Sequence, residues 1–82
     1  MTQLAKLRWQ CRRGTKELDW LLQRYLETGY LVADVGEKAL FVKLLELEDD
    51  ELIGILLGDL IVEAEGMKVL VDKIRVVARV YG

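Results

Sequence analysis

The chain has 82 residues, 52% of them hydrophobic and 32% charged, enough to fill the core of one domain spanning residues 1–82 and too apolar for wholesale disorder. Twelve basic residues against fourteen acidic ones leave a net charge of −2, which excludes a global field that would gather nucleic acid or anionic lipid; any basic site must be local. Histidine is absent and cysteine occurs once, at Cys11, so the usual general base, the usual zinc ligand and any internal disulfide are missing, and a reducing compartment, by default the cytoplasm, is expected.

Without a proline anywhere, glycines and acidic caps must punctuate the chain, and they divide it into about five helical segments. The first covers residues 3–13, with Leu4, Leu7 and Cys11 on one side and Gly14 as its end. The second, 15–28, carries Leu18, Leu21, Leu22, Tyr25 and Leu26 at the spacing of a helix facing a core. Gly29 is placed to stop it in the left-handed conformation.

Asp34 with Glu37 three residues on resembles a capping box that opens a third helix, whose stripe is Leu40, Phe41, Leu44 and Leu45. The acidic run Glu48, Asp49, Asp50 and Glu51 suits the positive end of a fourth helix, which is expected to bury Leu52, Ile53, Leu56, Leu57 and Leu60. Gly54 and Gly58 fall inside that segment, so close packing should compensate for their poor helix propensity.

Residues 61–71 alternate like two strands around Gly66. Met67, Leu70, Val71, Ile74, Val77, Ala78 and Tyr81 equally fit a helix over 65–81, and the length favours the helix. Val69, Val76 and Val80 lie off that stripe and could form a second apolar face.

The most apolar run, 52–62, is interrupted by Asp59 and falls short of the roughly 20 residues of a spanning helix, so no membrane partner is expected. Lys6, Arg8, Arg12 and Arg13 suggest a transit peptide, but Glu17 and Asp19 follow at once, and the segment reads as mature sequence.

Little in the chain can do chemistry, so no catalytic residue and no metal ligand is assigned. Cys11 lies on an apolar stripe and reads as a core thiol, and the acidic run has no calcium-loop spacing. What stands out is the stretch from Arg8 and Trp9 through Arg12, Arg13, Gly14 and Glu17 to Asp19. A glycine between two helices allows a sharp turn and the approach of another chain. Arg13 offers a planar fork for a carboxylate or phosphate. The plainer reading makes Gly14 a turn residue, Glu17 a complement to the helix dipole and the arginines a solvated surface. Trp9 and Trp20 lie off their helices' core stripes, as contact residues or as packing against the last helix.

The pattern Trp9-x-Cys11-Arg12-Arg13-Gly14-x-x-Glu17-Leu18-Asp19, followed by Phe41-x-x-Leu44-Leu45-Glu46 and Asp49-Asp50-Glu51-Leu52, resembles the small succinate dehydrogenase assembly factors, also called flavinylation factors. The likeness covers nearly the whole chain. It departs at Ile55 and Leu56, where relatives often carry tryptophan, and in the valine-rich last segment.

The resemblance implies an all-α, single-domain five-helix bundle. It implies an assembly chaperone, not an enzyme, that binds the flavoprotein subunit of succinate dehydrogenase, and of fumarate reductase in some bacteria, and promotes covalent attachment of FAD. No cofactor would be held stably by this chain; FAD is handled by the partner. The motif maps the partner contact onto Arg13, Gly14 and Glu17, flanked by Lys6, Arg8, Trp9 and Arg12. A monomer is expected, with a dimer left open. The rival reading is an antitoxin-like or regulatory module with another partner. Nucleic-acid binding through the arginines would be steeply salt-dependent, and the acidic balance opposes it.

Overall fold

A computed structural model of the protein describes residues 3–81, with side chains described for 3–77. Its elements in chain order are α1 (Gln3–Gln10), α2 (Lys16–Glu27), α3 (Gly29–Val32), α4 (Val35–Leu45), α5 (Asp49–Leu56) and α6 (Glu65–Tyr81). The five expected helices are all present, and α3 adds a single turn between two of them. Residues 61–71 hold no strand pair: the chain is irregular up to Ala64 and then enters α6, with the expected bounds.

The strongest apolar stripe in the sequence becomes the centre of the molecule. Leu18, Leu21, Leu22, Tyr25 and Leu26 of α2 are all buried, and α2 packs against α1, α3, α5 and α6. Helix α6 also lies against α4 and α5, bringing Leu70, Val71 and Ile74 into the same core. Phe41 of α4 sits at the heart of an aromatic cluster, its ring 4.9 Å from that of Tyr25 and 5.6 Å from that of Tyr30. Each large side chain so buried contributes roughly 1.5–3 kcal/mol relative to exposure. Leu7 and Cys11 hold α1 onto this body.

Two helix ends and the conformation of one glycine differ from the sequence reading, each for a tertiary reason. Helix α1 stops at Gln10 and not at Arg13. The amides of Cys11 and Arg12 close its last turn on Leu7 and Trp9, and Arg13 is drawn away to Asp19 and the end of α4. Gly29 is not left-handed; Gly14 alone among the described residues has a positive φ. A Cβ at Gly29 would lie 2.5 Å from Cε1 of the buried Tyr25 ring, so the glycine makes room and does not end a helix.

Helix α5 ends at Leu56, and the expected burial of Ile53, Leu57 and Leu60 does not occur. Ile55 is buried in their place. Beyond the helix the amide of Leu60 returns to the carbonyl of Gly54 at 3.0 Å. The Leu60 side chain then covers the bare face of Gly54, where a Cβ would meet it at 3.3 Å. Gly54 is thus closely packed as expected, against the loop that follows it.

The Asp34 cap forms, its Oδ1 accepting from the Glu37 amide at 2.8 Å. Glu37 does not complete the box. Its carboxylate accepts instead from the Tyr25 hydroxyl and the Lys73 ammonium, each at 2.5 Å, joining α2, α4 and α6. The Lys73 hydrogen bond, then that of Tyr25, holds the Glu37 carboxyl below its ordinary range, and burial followed by the Glu37 bond pushes the Tyr25 phenol up.

Val69 and Val76 are exposed on α6, as their place off the stripe implies, while Val80 lies outside the residues with described side chains. Among the described residues no helix is long and apolar enough to cross a membrane.

Candidate functional site

Between α1 and α2 the chain turns through residues 11–15, and three features fix its shape. Gly14 has φ +86°, a conformation costly to any residue with a side chain. The Arg13 amide donates to Asp19 Oδ1 at 2.5 Å, so an acid in the first turn of α2 reaches back over the turn. Helix α2 begins with the Asp19 amide bonded to the Thr15 carbonyl at 2.8 Å, while the Thr15 side chain makes no capping bond.

Around Gly14 the space is open. A Cβ built there meets nothing within 4 Å, so the glycine answers to backbone conformation and not to crowding inside the chain. Arg12 and Glu17 beside it are exposed, as are Lys6, Arg8 and Trp9 on α1. Trp9, 72% exposed, is the more exposed of the two tryptophans. It stands on the side of α1 away from Leu7, with Lys6 and Arg8 on its flanks. Among the described residues none of Lys6, Arg8, Arg12 and Glu17 is held in an ion pair.

Arg13 is placed differently from the expectation. Its side chain is only 16% exposed and turns inward to where α4 ends and α5 begins. Nη2 donates to the Leu45 carbonyl, and Nη1 faces the Leu47 carbonyl at 3.3 Å and Asp49 Oδ1 at 3.4 Å. The last carbonyls of a helix have no partner within it and carry the negative end of its dipole, so a guanidinium is well suited to them. The fork expected to grip a visiting anion is occupied by this chain's own backbone. The sequence pattern groups Arg12 with Arg13; the fold points one outward and the other in.

The remaining chemistry is slight. Cys11 is fully buried, and burial, with smaller opposing effects from Arg13 and Arg8, pushes its thiol up to about 12, which keeps it a protonated core group. Trp20 is about one-third exposed and carries the Arg24 guanidinium 5.9 Å above its ring. Among the described residues no three acidic or cysteine side chains gather as metal ligands would. What the turn offers is a bare backbone corner at Gly14 with exposed Arg12 and Glu17 beside it.

Asp19 and Asp49 have positional roles that the sequence reading did not give them. Asp19 was visible as an acid in the first turn of α2. Asp49 was legible only as part of an acidic run, because its meeting with Arg13 spans 36 positions.

A family model described as flavinator of succinate dehydrogenase matches residues 5–78. The chain is 40% identical over 75 residues to the FAD assembly factor SdhE of Methylococcus capsulatus, covering 92% of this chain and 90% of that one. It is 40% identical over 70 residues to the SdhE of Coxiella burnetii, 85% of each. With the SdhE of Xylella fastidiosa strain 9a5c it shares 38% over 73 residues, 89% of this chain and 75% of the relative.

Proposed function

The chain belongs to the family of flavinators of succinate dehydrogenase, and from that premise we propose that it is an assembly factor that binds the flavoprotein subunit of succinate dehydrogenase and promotes covalent attachment of FAD. The observation that carries this reading is the exposed left-handed turn at Gly14, with Arg12 and Glu17 beside it and open space in front. Arg12 and Arg8 suit carboxylates on the partner, Glu17 suits its donors, and Trp9 supplies the large, low-entropy contact area typical of binding hot spots. Lys6 lies at the edge of this surface.

The chain works as a single domain and a monomer in the cytoplasm, and it performs no reaction itself. It binds one conformation of the immature flavoprotein better than others and so raises the population in which flavin linkage proceeds. FAD and the groups that react with it belong to the partner, so no cofactor stays with this chain. Fumarate reductase, whose flavoprotein meets the same chemical requirement, is a second client.

Deleting the gene and examining the dehydrogenase band in a denaturing gel under ultraviolet light tests this directly. Loss of covalent flavin fluorescence is expected, with restoration by the wild-type gene. Undiminished fluorescence, or copurification of the chain with a protein that carries no flavin, contradicts it.

A further inference from the structure

We propose that Arg13 is a positioning residue: it sets the docking turn by tying it to the junction of α4 and α5, and it does not touch the partner. The proposal rests on the docking role given above to the Gly14 turn.

Arg13 holds the turn at both ends. Its amide is bonded to Asp19 on α2 and its guanidinium to the Leu45 and Leu47 carbonyls and Asp49, while the next residue is the exposed left-handed glycine. Two carbonyls and a carboxylate approached by two nitrogens of one planar group fix direction as well as distance, which a lysine ammonium, a point charge on a flexible stem, does not do. Of the charged side chains in the turn it is the withdrawn one, Arg12 and Glu17 standing in solvent. Among the described residues the other hydrogen bonds of the elbow it grips are short-range, the amides of Glu46 and Leu47 returning to Lys43 and Leu44 at 3.1 Å. Removing the guanidinium frees the elbow and the turn together, and docking loses its preset geometry.

The test compares Arg13→Met and Arg13→Lys with Arg12→Met, using the isolated flavoprotein subunit as the probe at a temperature where circular dichroism shows every variant folded. If Arg13→Met fails to fold, Arg13→Lys carries the comparison. Both Arg13 variants should weaken binding by about tenfold or more, the scale of lost charge-assisted hydrogen bonds. Both should also speed amide exchange at Glu46 and Leu47 in the free protein severalfold. Arg12→Met should weaken binding and leave those amides unchanged. In the wild-type complex the Arg13 guanidinium resonances should keep the shifts of the free protein.

Weaker binding with unchanged exchange at Glu46 and Leu47 would make Arg13 a direct contact and overturn the proposal. Faster exchange with unchanged affinity would make it a merely structural tie, with the same result. If Arg12→Met, Gly14→Arg and Glu17→Ala all bind normally, the docking reading itself fails and the proposal falls with it, an outcome recognisable whatever the Arg13 variants do.

Discussion

Arg13 and Arg75 each cap the end of a helix, and their surroundings differ. Arg13 meets the last carbonyls of α4 from the α1–α2 turn. Arg75, on α6, meets the Ile55 carbonyl at the end of α5 and that of Gly58 just beyond it, the latter at 3.1 Å. The chemistry is the same, a guanidinium on carbonyls that their helix leaves unpartnered. Around Arg75 the exposed Leu60 and Ile61 of the α5–α6 connection stand together with the charged Asp59, Lys68 and Asp72. Beside Arg13 the exposed atoms are a bare glycine backbone, a cation and a carboxylate. A helix cap is thus a structural part in either place, and among the described residues only the Arg13 cap has a left-handed glycine beside it.

The largest effect that would sharpen this contrast is expected at Gly14. Replacing it with arginine forces a side chain into a left-handed backbone, a folding cost of about 1–2 kcal/mol, but meets no atom of the chain within 4 Å at Cβ. Helical circular dichroism should persist while capture of the flavoprotein subunit falls at least about a hundredfold, as expected when a bulky group occupies the centre of an interface. Normal capture would remove the turn from the interface.

Arg75→Met should do the reverse. It removes the same kind of cap and should lower unfolding free energy in urea by about 1–3 kcal/mol, the range for hydrogen bonds to a charged group, while affinity for the flavoprotein measured on folded protein stays unchanged. A matching loss of affinity would place the α5–α6 connection in the interface and break the comparison.

Glu37→Gln has the smallest expected effect, about 1 kcal/mol at neutral pH, and its value lies in the pH dependence. The folded-state pKa of Glu37 lies below the ordinary 4.5, so on acidification the unfolded chain takes up its proton first. Its contribution is therefore complete above pH 4.5 and is lost as pH falls through the depressed value. Urea unfolding at pH 7, 5 and 3 should show the wild type's advantage over the variant shrinking on the acid side only. An advantage undiminished between pH 7 and pH 3 would assign the stability to something other than the charged bridge from Tyr25 to Lys73.

Local signals foretold the main helices, with the ends of α1 and α5 as the exceptions. The stripe from Leu18 to Leu26 needs only helical periodicity, and the Asp34 cap needs only its neighbour three residues on. The same periodicity sets Trp9 off the stripe of α1 without deciding between an exposed contact and packing against the last helix, and it is exposed. The ends of α1 and α5 depended on partners far along the chain, Arg13 bonding 32 positions away and Arg75 bonding 20 positions back. Gly29 was misread because a glycine after a helix suggests a conformational stop, when what mattered was the Tyr25 ring beneath it. At the candidate site the residue types were legible, and the inward turn of Arg13 was not, since nothing in a run of arginines says which one the fold will use.

Hydrogen exchange of the wild-type chain, with and without the isolated flavoprotein subunit, reads whether the Gly14 turn is covered by the partner. Amides from Arg12 to Glu17 should become protected in the complex. Protection confined to the exposed valines of α6 or to the α5–α6 connection, with the Gly14 turn exchanging as fast as in the free protein, would contradict it.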